Sequence, residues 1–172
     1  MSASRPVQPQ SFSFPDDGSI PNHPRLPLLV YRSGLEPGQR SASACRRRFR
    51  DQGWTGNWVN GIYSYHHYHS TAHEVLGVVR GSARVQFGGP EGEILDVRAG
   101  DVVVIPAGVG HCRQARSGGF QVVGGYAGGR SWDMNTGKSG ERPQVLENIR
   151  ELPNPETDPL YGPDGPLLEI WE

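Results

Sequence analysis

Apolar residues in the middle of this chain recur in short runs separated by glycine turns, which is typical of β-strands. The runs between residues 57 and 128 follow one another at intervals of roughly ten residues. The predicted strands are Asn57–Ser64, His73–Arg80, Ala83–Phe87, Ile94–Arg98, Val102–Ile105 and Phe120–Ala127. The run at 73–80 is apolar on both faces, as expected where one sheet packs against a second. The pattern predicts an all-β sandwich or barrel.

The N-terminal part follows a different pattern. Residues 1–25 are rich in Ser, Pro, Gln and Asp, which predicts an extended arm without a core of its own. Leu26–Tyr31 is apolar enough to form a strand, with Pro27 limiting its start to a sheet edge. Ser41–Gln52 has apolar residues at helical spacing and predicts a helix. Its arginine cluster is interpreted as a solvated face rather than a phosphate site.

The C-terminal part predicts one more helix and one more strand. Glu141–Leu152 places apolar residues on one helical face, and the prolines that follow would end that helix. Pro166–Trp171 has the apolar content of a final strand. We therefore expect one domain over 1–172, with an arm and helix at about 1–56, a barrel core at 57–128 and an extension at 129–172.

Composition narrows the class of protein. The chain has 172 residues, with 24 glycines and 15 prolines, which favours short strands over a helical bundle. Its net charge of −1 gives no indication of nucleic acid or of an anionic membrane as a partner. Cys45 and Cys112 have no zinc-knuckle or redox spacing and are expected to be reduced thiols. No stretch predicts a signal peptide or a membrane span, so we expect a soluble, cytoplasmic protein.

Four side chains have the chemistry of a metal site. His67 and His69 are two residues apart, so in an extended chain both imidazoles point to the same face. Glu74 begins the next strand after a short turn, and His111 follows the turn at residues 106–110. Three imidazoles and one carboxylate suit Mn, Fe, Co, Ni, Cu(II) or Zn and select none of them. Such a set leaves coordination positions open for catalysis.

The residues around these four resemble both sequence motifs of the cupin superfamily. The first motif, G-x5-H-x-H-x4-E-x6-G, matches through Gly61, His67, His69, Glu74 and Gly81. The second, G-x5-P-x-G-x2-H, matches through Gly100, Pro106, Gly108 and His111. That motif usually ends in Asn four residues after its His, and this chain has Ala115 there. The substitution concerns a turn residue and leaves the four candidate metal-binding residues unchanged.

The resemblance implies a double-stranded β-helix, or jelly-roll barrel, with one divalent transition metal (Fe, Mn, Ni or Zn) inside it. By similarity, the ligands are His67, His69, Glu74 and His111. Arms and termini in such proteins commonly complete a homodimer, which suits the long flanks of this chain.

Several neighbours of the proposed ligands need separate interpretation. His66, His73 and Cys112 each lie next to a proposed ligand, so strand alternation points them to the opposite face. We interpret all three as non-ligands, with His73 as a candidate for supporting a ligand from behind. Tyr63 and Tyr65 share the parity of His67 and could line the cavity, but ordinary barrel packing is favoured.

Two functions remain open from the sequence. The first is a metal-dependent enzyme acting on a small organic molecule by dioxygenase or isomerase chemistry, with Glu74 as a possible base. The second is a non-catalytic module that binds a small ligand or a metal. Arg84, Arg98 and Arg113 are equal candidates for contacting a substrate.

Overall fold

The computed structural model describes residues 5–172, so the first four residues of the predicted arm lie outside it. Within that range strands are the main regular secondary structure. The strands are β1 Gln10–Phe12, β2 Leu28–Tyr31, β3 Trp54–Asn60, β4 Glu74–Arg80, β5 Ser82–Phe87, β6 Glu93–Arg98, β7 Val102–Ile105, β8 His111–Arg116 and β9 Gln121–Ala127. The α-helices are α1 Ala42–Asp51, α2 Gln144–Glu151 and α3 Leu167–Ile170, with single 3-10 turns at Pro37–Gln39 and Ser139–Glu141.

The strands form two antiparallel sheets. The larger has the order β1-β2-β7-β4-β9-β3, and the smaller has the order β6-β5-β8. Apolar side chains of the two sheets meet in one core, with Leu76 and Val103 from the larger sheet against Val85 and Phe87 from the smaller. The predicted all-β jelly-roll barrel is confirmed. None of the helices within residues 5–172 has the length and apolar character needed to cross a membrane.

The outer face of the larger sheet is covered by helix α1 and the C-terminal segment. Cys45 and Phe49 of α1 pack there with Leu167 and Trp171 in a second apolar cluster. Helix and sheet approach closely at Gly77, where an added Cβ would lie 2.6 Å from Cys45 Sγ. Both faces of β4 are therefore buried, which explains its continuous apolar run.

Helix α1 begins and ends close to its predicted bounds. The Ser41 hydroxyl accepts a hydrogen bond from the Ala44 amide at 3.2 Å and caps the N-terminus. Arg46, Arg47 and Arg50 are exposed, in agreement with a solvated face.

The predicted final strand at Pro166–Trp171 is wrong, because these residues form the short helix α3. A short apolar run fits either structure, and here the buried carboxylate of Asp158 accepts a hydrogen bond from the Leu167 amide at 3.2 Å. The predicted strand at Asn57–Ser64 also differs: β3 starts earlier, at Trp54, and ends at Asn60.

The arm is held against its own chain. Strand β1 pairs with β2 in the antiparallel sense, with Gln10 opposite Val30 and Phe12 opposite Leu28. Farther on, Asn22 is buried and its side-chain amide donates to the Gly88 carbonyl at 3.1 Å, while its side-chain oxygen accepts from the Gly110 amide at 3.2 Å. The arm therefore closes over the turn that leads into β8.

Candidate metal centre

Three of the predicted site residues converge at one end of the barrel. His67 and His111 form an isolated antiparallel bridge, with amide-to-carbonyl distances of 3.2 and 2.9 Å. His69 lies two residues beyond His67, on the same side of the chain. Each of the three imidazoles offers a nitrogen, and these nitrogens all lie within 4.8 Å of one another. The side chains are 2 to 6% exposed, so the cluster is held inside the protein.

The backbone determines which nitrogen of each imidazole faces inward. Nδ1 of His67 lies 3.0 Å from the Tyr65 carbonyl, and Nδ1 of His111 lies 3.3 Å from the Val109 carbonyl. Nδ1 of His69 contacts the Asp133 carbonyl. A carbonyl oxygen can only accept, so each Nδ1 carries the proton and donates it. The three Nε2 atoms are left with free lone pairs, which is the state that a metal ligand requires.

Glu74 lies at the edge of this cluster. Its Oε2 is 3.5 Å from Nε2 of His69, and its Oε1 is 3.2 Å from Nε2 of His111. The side chain is buried, and Oε1 has no hydrogen bond of good geometry. The group of nitrogens within 4.8 Å contains only the three histidines among the described residues, so Glu74 as a ligand stays a prediction.

The electrostatic environment of Glu74 favours the binding of a cation. Burial would raise the pKa of Glu74, but the neighbouring imidazoles of His69 and His111 outweigh it and lower the pKa. Burial would likewise lower the pKa of His69, but Glu74 and hydrogen bonding to Asp133 raise it. Burial and the neighbouring His111 lower the pKa of His67 to about 3, so this imidazole is neutral. A buried carboxylate with an unpaired oxygen beside three inward-facing imidazole nitrogens is a site that a divalent cation would complete.

An aromatic wall lies beside the cluster. Tyr126 stands opposite Glu74 in the β4–β9 register, and its hydroxyl accepts from Trp58 Nε1 at 2.9 Å. Trp132 stacks on Tyr126, with ring centroids 5.8 Å apart, and meets the His69 ring in a T-shaped arrangement with centroids 5.1 Å apart. The sequence patterns did not identify Tyr126 or Trp132, because both belong to segments without a motif.

Asp133 organises the turn between His69 and Glu74. Its carboxylate accepts hydrogen bonds from the amide and hydroxyl of Ser70 and from Asn135, and its own carbonyl is the partner of His69. Thr71 adds a 2.9 Å hydrogen bond to the Ser131 carbonyl. The segment at residues 131–135 therefore holds the imidazole of His69 from behind. No periodicity in the sequence indicated this role.

The cluster opens into a cavity of about 580 Å³, the size of a small-molecule site. Among the three arginines proposed from the sequence, Arg113 lines this cavity, whereas Arg84 pairs with Asp96 at the surface and Arg98 is exposed elsewhere. Arg116 also lines the cavity and was not proposed from the sequence.

The neighbours of the proposed ligands lie outside the cluster. His73 is 1% exposed, and its Nδ1 accepts a hydrogen bond from the Ala107 amide at 2.9 Å. His66 is half-buried, and Cys112 is buried on β8 without lining the cavity. The packing interpretation of Tyr63 and Tyr65 is wrong: they are 50% and 46% exposed and stack on each other. Tyr63 lines the cavity, and its ring meets that of His67 in a T-shaped arrangement.

Comparison with known proteins assigns the chain to a family. The sequence model of the family described as Cupin matches residues 60–126. The uncharacterized protein YjlB of Bacillus subtilis (strain 168) is 45% identical over 162 residues, which cover 94% of this chain and 96% of that protein. The chain belongs to the cupin superfamily.

Solved structures with a similar arrangement share less sequence. The acireductone dioxygenase from Bacillus anthracis with a cadmium ion in its active centre is 16% identical, with a TM-score of 0.39, over 63% of this chain and 78% of that one. Pumpkin seed globulin is 23% identical, with a TM-score of 0.39, over 56% of this chain and 28% of that one. The chain thus spans less than a third of the globulin. At these TM-scores neither similarity carries an argument about function.

Proposed function

We propose that this protein is a metal-dependent enzyme of the dioxygenase type that acts on a small organic molecule in the barrel cavity. His67, His69, Glu74 and His111 are the proposed ligands of one divalent transition metal. The observation that carries the proposal is the shared orientation of the three imidazoles, each held through Nδ1 by a backbone carbonyl with Nε2 directed inward.

The cation would supply Lewis-acid and redox chemistry at the base of the cavity. The protein supplies fixed donors: the carbonyls of Tyr65, Val109 and Asp133 hold the three rings before any ligand arrives. The buried Tyr126 beside them keeps water away on that side, which strengthens electrostatic interactions with a bound molecule.

Glu74 has a second proposed role as a general base. Oε1 has no well-formed hydrogen bond in the protein, so this oxygen is the one positioned to take a proton. The same arrangement suits an isomerase, in which a proton moves between neighbouring carbons of the substrate. An oxygenase and an isomerase differ in whether oxygen is consumed.

The test is turnover with each candidate metal. The protein is loaded with Fe(II), Mn(II), Ni(II) or Zn(II), and both oxygen uptake and product formation are followed across a panel of phenols, thiols, sugar derivatives and carboxylic acids. We expect turnover with at least one metal and its loss in His67→Ala, whereas His73→Gln serves as the matched control outside the cluster. Ligand binding without turnover under every metal would contradict the enzyme and support a non-catalytic binding module.

A homodimer and a cytoplasmic location remain predictions. The arm, which packs on its own chain through β1 and β2, is compatible with either a monomer or a dimer. Light scattering at micromolar concentration, with a molecular mass of twice 18.8 kDa as the expected result, tests the dimer.

A further inference from the structure

Strand β8 contains one extra residue relative to its partner β5. Val85 pairs with Arg113, but Arg84 pairs with Ala115, so Gln114 has no opposite residue. This is a β-bulge, which inserts a residue and changes the direction of the side chains that follow it. Simple alternation from His111 would place Ala115 on the cavity side and Arg116 on the outer side.

The bulge reverses that order. Residues Ala83, Val85 and Phe87 of β5 are buried on one face and pair with Arg116, Arg113 and His111 respectively. Residues directly opposite in a sheet share a face, so both arginines point to the same side as His111. In agreement with this, Arg113 and Arg116 line the cavity, whereas Ala115 is exposed outside it.

Neither guanidinium group has a carboxylate partner among residues 5–172, whereas Arg32, Arg84 and Arg142 each pair with an aspartate. Arg113 donates through Nε to the Ile62 carbonyl at 3.0 Å, which fixes its direction, and its terminal nitrogens meet no acceptor among residues 5–172. Arg116 has no hydrogen-bond or carboxylate partner within the same range. Free guanidinium N–H groups in a cleft are suited to a planar anion such as a carboxylate.

The charge of the cavity lining points to the same ligand. Glu74 is the one carboxylate among the described residues that line it, against the two arginines, so the lining is net positive before a cation is added. A lining of this sign attracts anions and raises their local concentration.

The cavity lining also contains apolar side chains. Trp58, Leu76 and Phe120 contribute to its lining. The indole of Trp58 lies directly on β9, because Gly124 has no side chain: a Cβ there would come within 2.3 Å of the ring. The indole therefore offers the cavity a fixed planar surface on which a flat apolar group can pack.

We propose that the substrate is a small carboxylic acid with a flat apolar body, whose carboxylate binds Arg113 and Arg116 and whose body lies on Trp58 toward the metal centre. This inference rests on the proposed function in taking the bound molecule as the substrate. Arg113 is the stronger contact because its Nε hydrogen bond orients it in advance, whereas Arg116 is exposed and must be ordered on binding.

The test is calorimetric titration of the Zn(II)-loaded and metal-free proteins with three acid–amide pairs: benzoate and benzamide, phenylacetate and its amide, hexanoate and its amide. We expect the best acid to bind about tenfold or more tightly than its amide, since a charge-assisted hydrogen bond is lost in the amide. Arg113→Gln should weaken that acid by about tenfold and Arg116→Gln by about threefold. Arg113→Lys should recover only part of the loss, because lysine cannot hold the Ile62 carbonyl and the ligand together.

Arg84→Gln and Arg98→Gln are the matched controls, since each removes the same charge from the outer surface, and both should leave the affinity unchanged. Circular dichroism and melting curves confirm that each variant is folded. Any of three results would overturn the proposal. The first is equal affinity for each acid and its amide, and the second is no detectable binding of any acid. The third is acid binding that requires Zn(II) and does not change in Arg113→Gln.

The titrations and the turnover assay together distinguish a failure of this inference from a failure of the proposed enzyme. Arginine-dependent binding of an acid without turnover under any metal supports the anion site and contradicts the enzyme. Turnover of neutral molecules that Arg113→Gln does not affect supports the enzyme and overturns the anion site.

Discussion

Two groups of histidines in this protein have opposite hydrogen-bonding arrangements. The cluster histidines, His67, His69 and His111, meet backbone carbonyls at Nδ1. The acceptor histidines, His23 and His73, meet backbone amides there instead: Arg25 and Leu26 donate to His23, and Ala107 donates to His73. The first group therefore directs a bare Nε2 into the cavity, whereas the second carries its proton on Nε2 and cannot ligate through that atom.

The difference shows that the nearest backbone group, more than burial, determines what a histidine can do. His73 and His111 are equally buried, at 1% and 2% exposure, and both are next to residues of the site. The backbone partner of His73 Nδ1 is a donor, whereas that of His111 Nδ1 is an acceptor. The nitrogen that is left free to bind a metal therefore differs between the two rings. The following predictions test this contrast in order of decreasing effect.

Removing a cluster histidine should have the largest effect. We expect His111→Ala to lower Zn(II) affinity by on the order of a hundredfold or more, since even the loss of a group that supports a ligand costs ten- to a hundredfold. Competition with a chromophoric chelator measures this. His73→Gln, from the acceptor group, should change the affinity little, and equal losses in the two variants would remove the distinction.

Removing the support of one cluster histidine should have a smaller effect. Asp133→Ala deletes the carboxylate that holds Ser70 and Asn135, which frees the carbonyl partner of His69. We expect about a tenfold loss of Zn(II) affinity and a loss of about 1–3 kcal/mol in the free energy of unfolding. Asp96→Ala, which removes an exposed carboxylate, is the control. An unchanged affinity in Asp133→Ala would show that this segment does not orient His69.

The acceptor histidines should be visible in the pH dependence of stability. Burial, with the charge of Arg25, lowers the pKa of His23 to about 4 from its usual 6.5, and His73 is the other titratable ring facing it. Between those values the unfolded chain binds more protons, so stability is complete above pH 6.5 and falls as the pH drops toward 4.

Because the His23 ring is partly exposed, we expect its share of that loss to be about 1–2 kcal/mol. Urea unfolding at several pH values, for the wild type and for His23→Gln, measures it. A wild-type pH slope no steeper than that of the variant would contradict the assignment.

The smallest effect is expected at Cys112. It adjoins His111 on β8 but is buried outside the cavity, and burial raises the pKa of its thiol. Cys112→Ala should change Zn(II) affinity by less than about twofold, because alternation along the strand separates it from His111. Loss of metal in this variant would identify a sulfur ligand.

Much of the barrel and the centre of the site could be predicted from the sequence. The apolar periodicity located β4 to β7 and β9 to within about two residues, and the spacing of His67 and His69 put both imidazoles on one face. Both signals are local, because a strand side chain points where the alternation requires. That His111 joins the other two was expected from the resemblance to the two cupin motifs.

The remainder depends on contacts between distant segments. Asp133 and Trp132 reach the site from a loop without periodicity, so nothing in their neighbourhood indicated it. Arg116 faces the cavity only because of the bulge at Gln114, and alternation predicts the opposite side. Leu167–Ile170 forms a helix rather than a strand because tertiary packing, not propensity, decides the structure of a four-residue segment.

Trp132 and Asp133 are consecutive residues, one covering the cavity and the other supplying the carbonyl that His69 needs. Any movement of this segment that admits a molecule past the indole therefore also disturbs the basicity of that imidazole. Access to the cavity and the basicity of the His69 imidazole therefore change together. A relative with a longer loop here would differ in both properties at once.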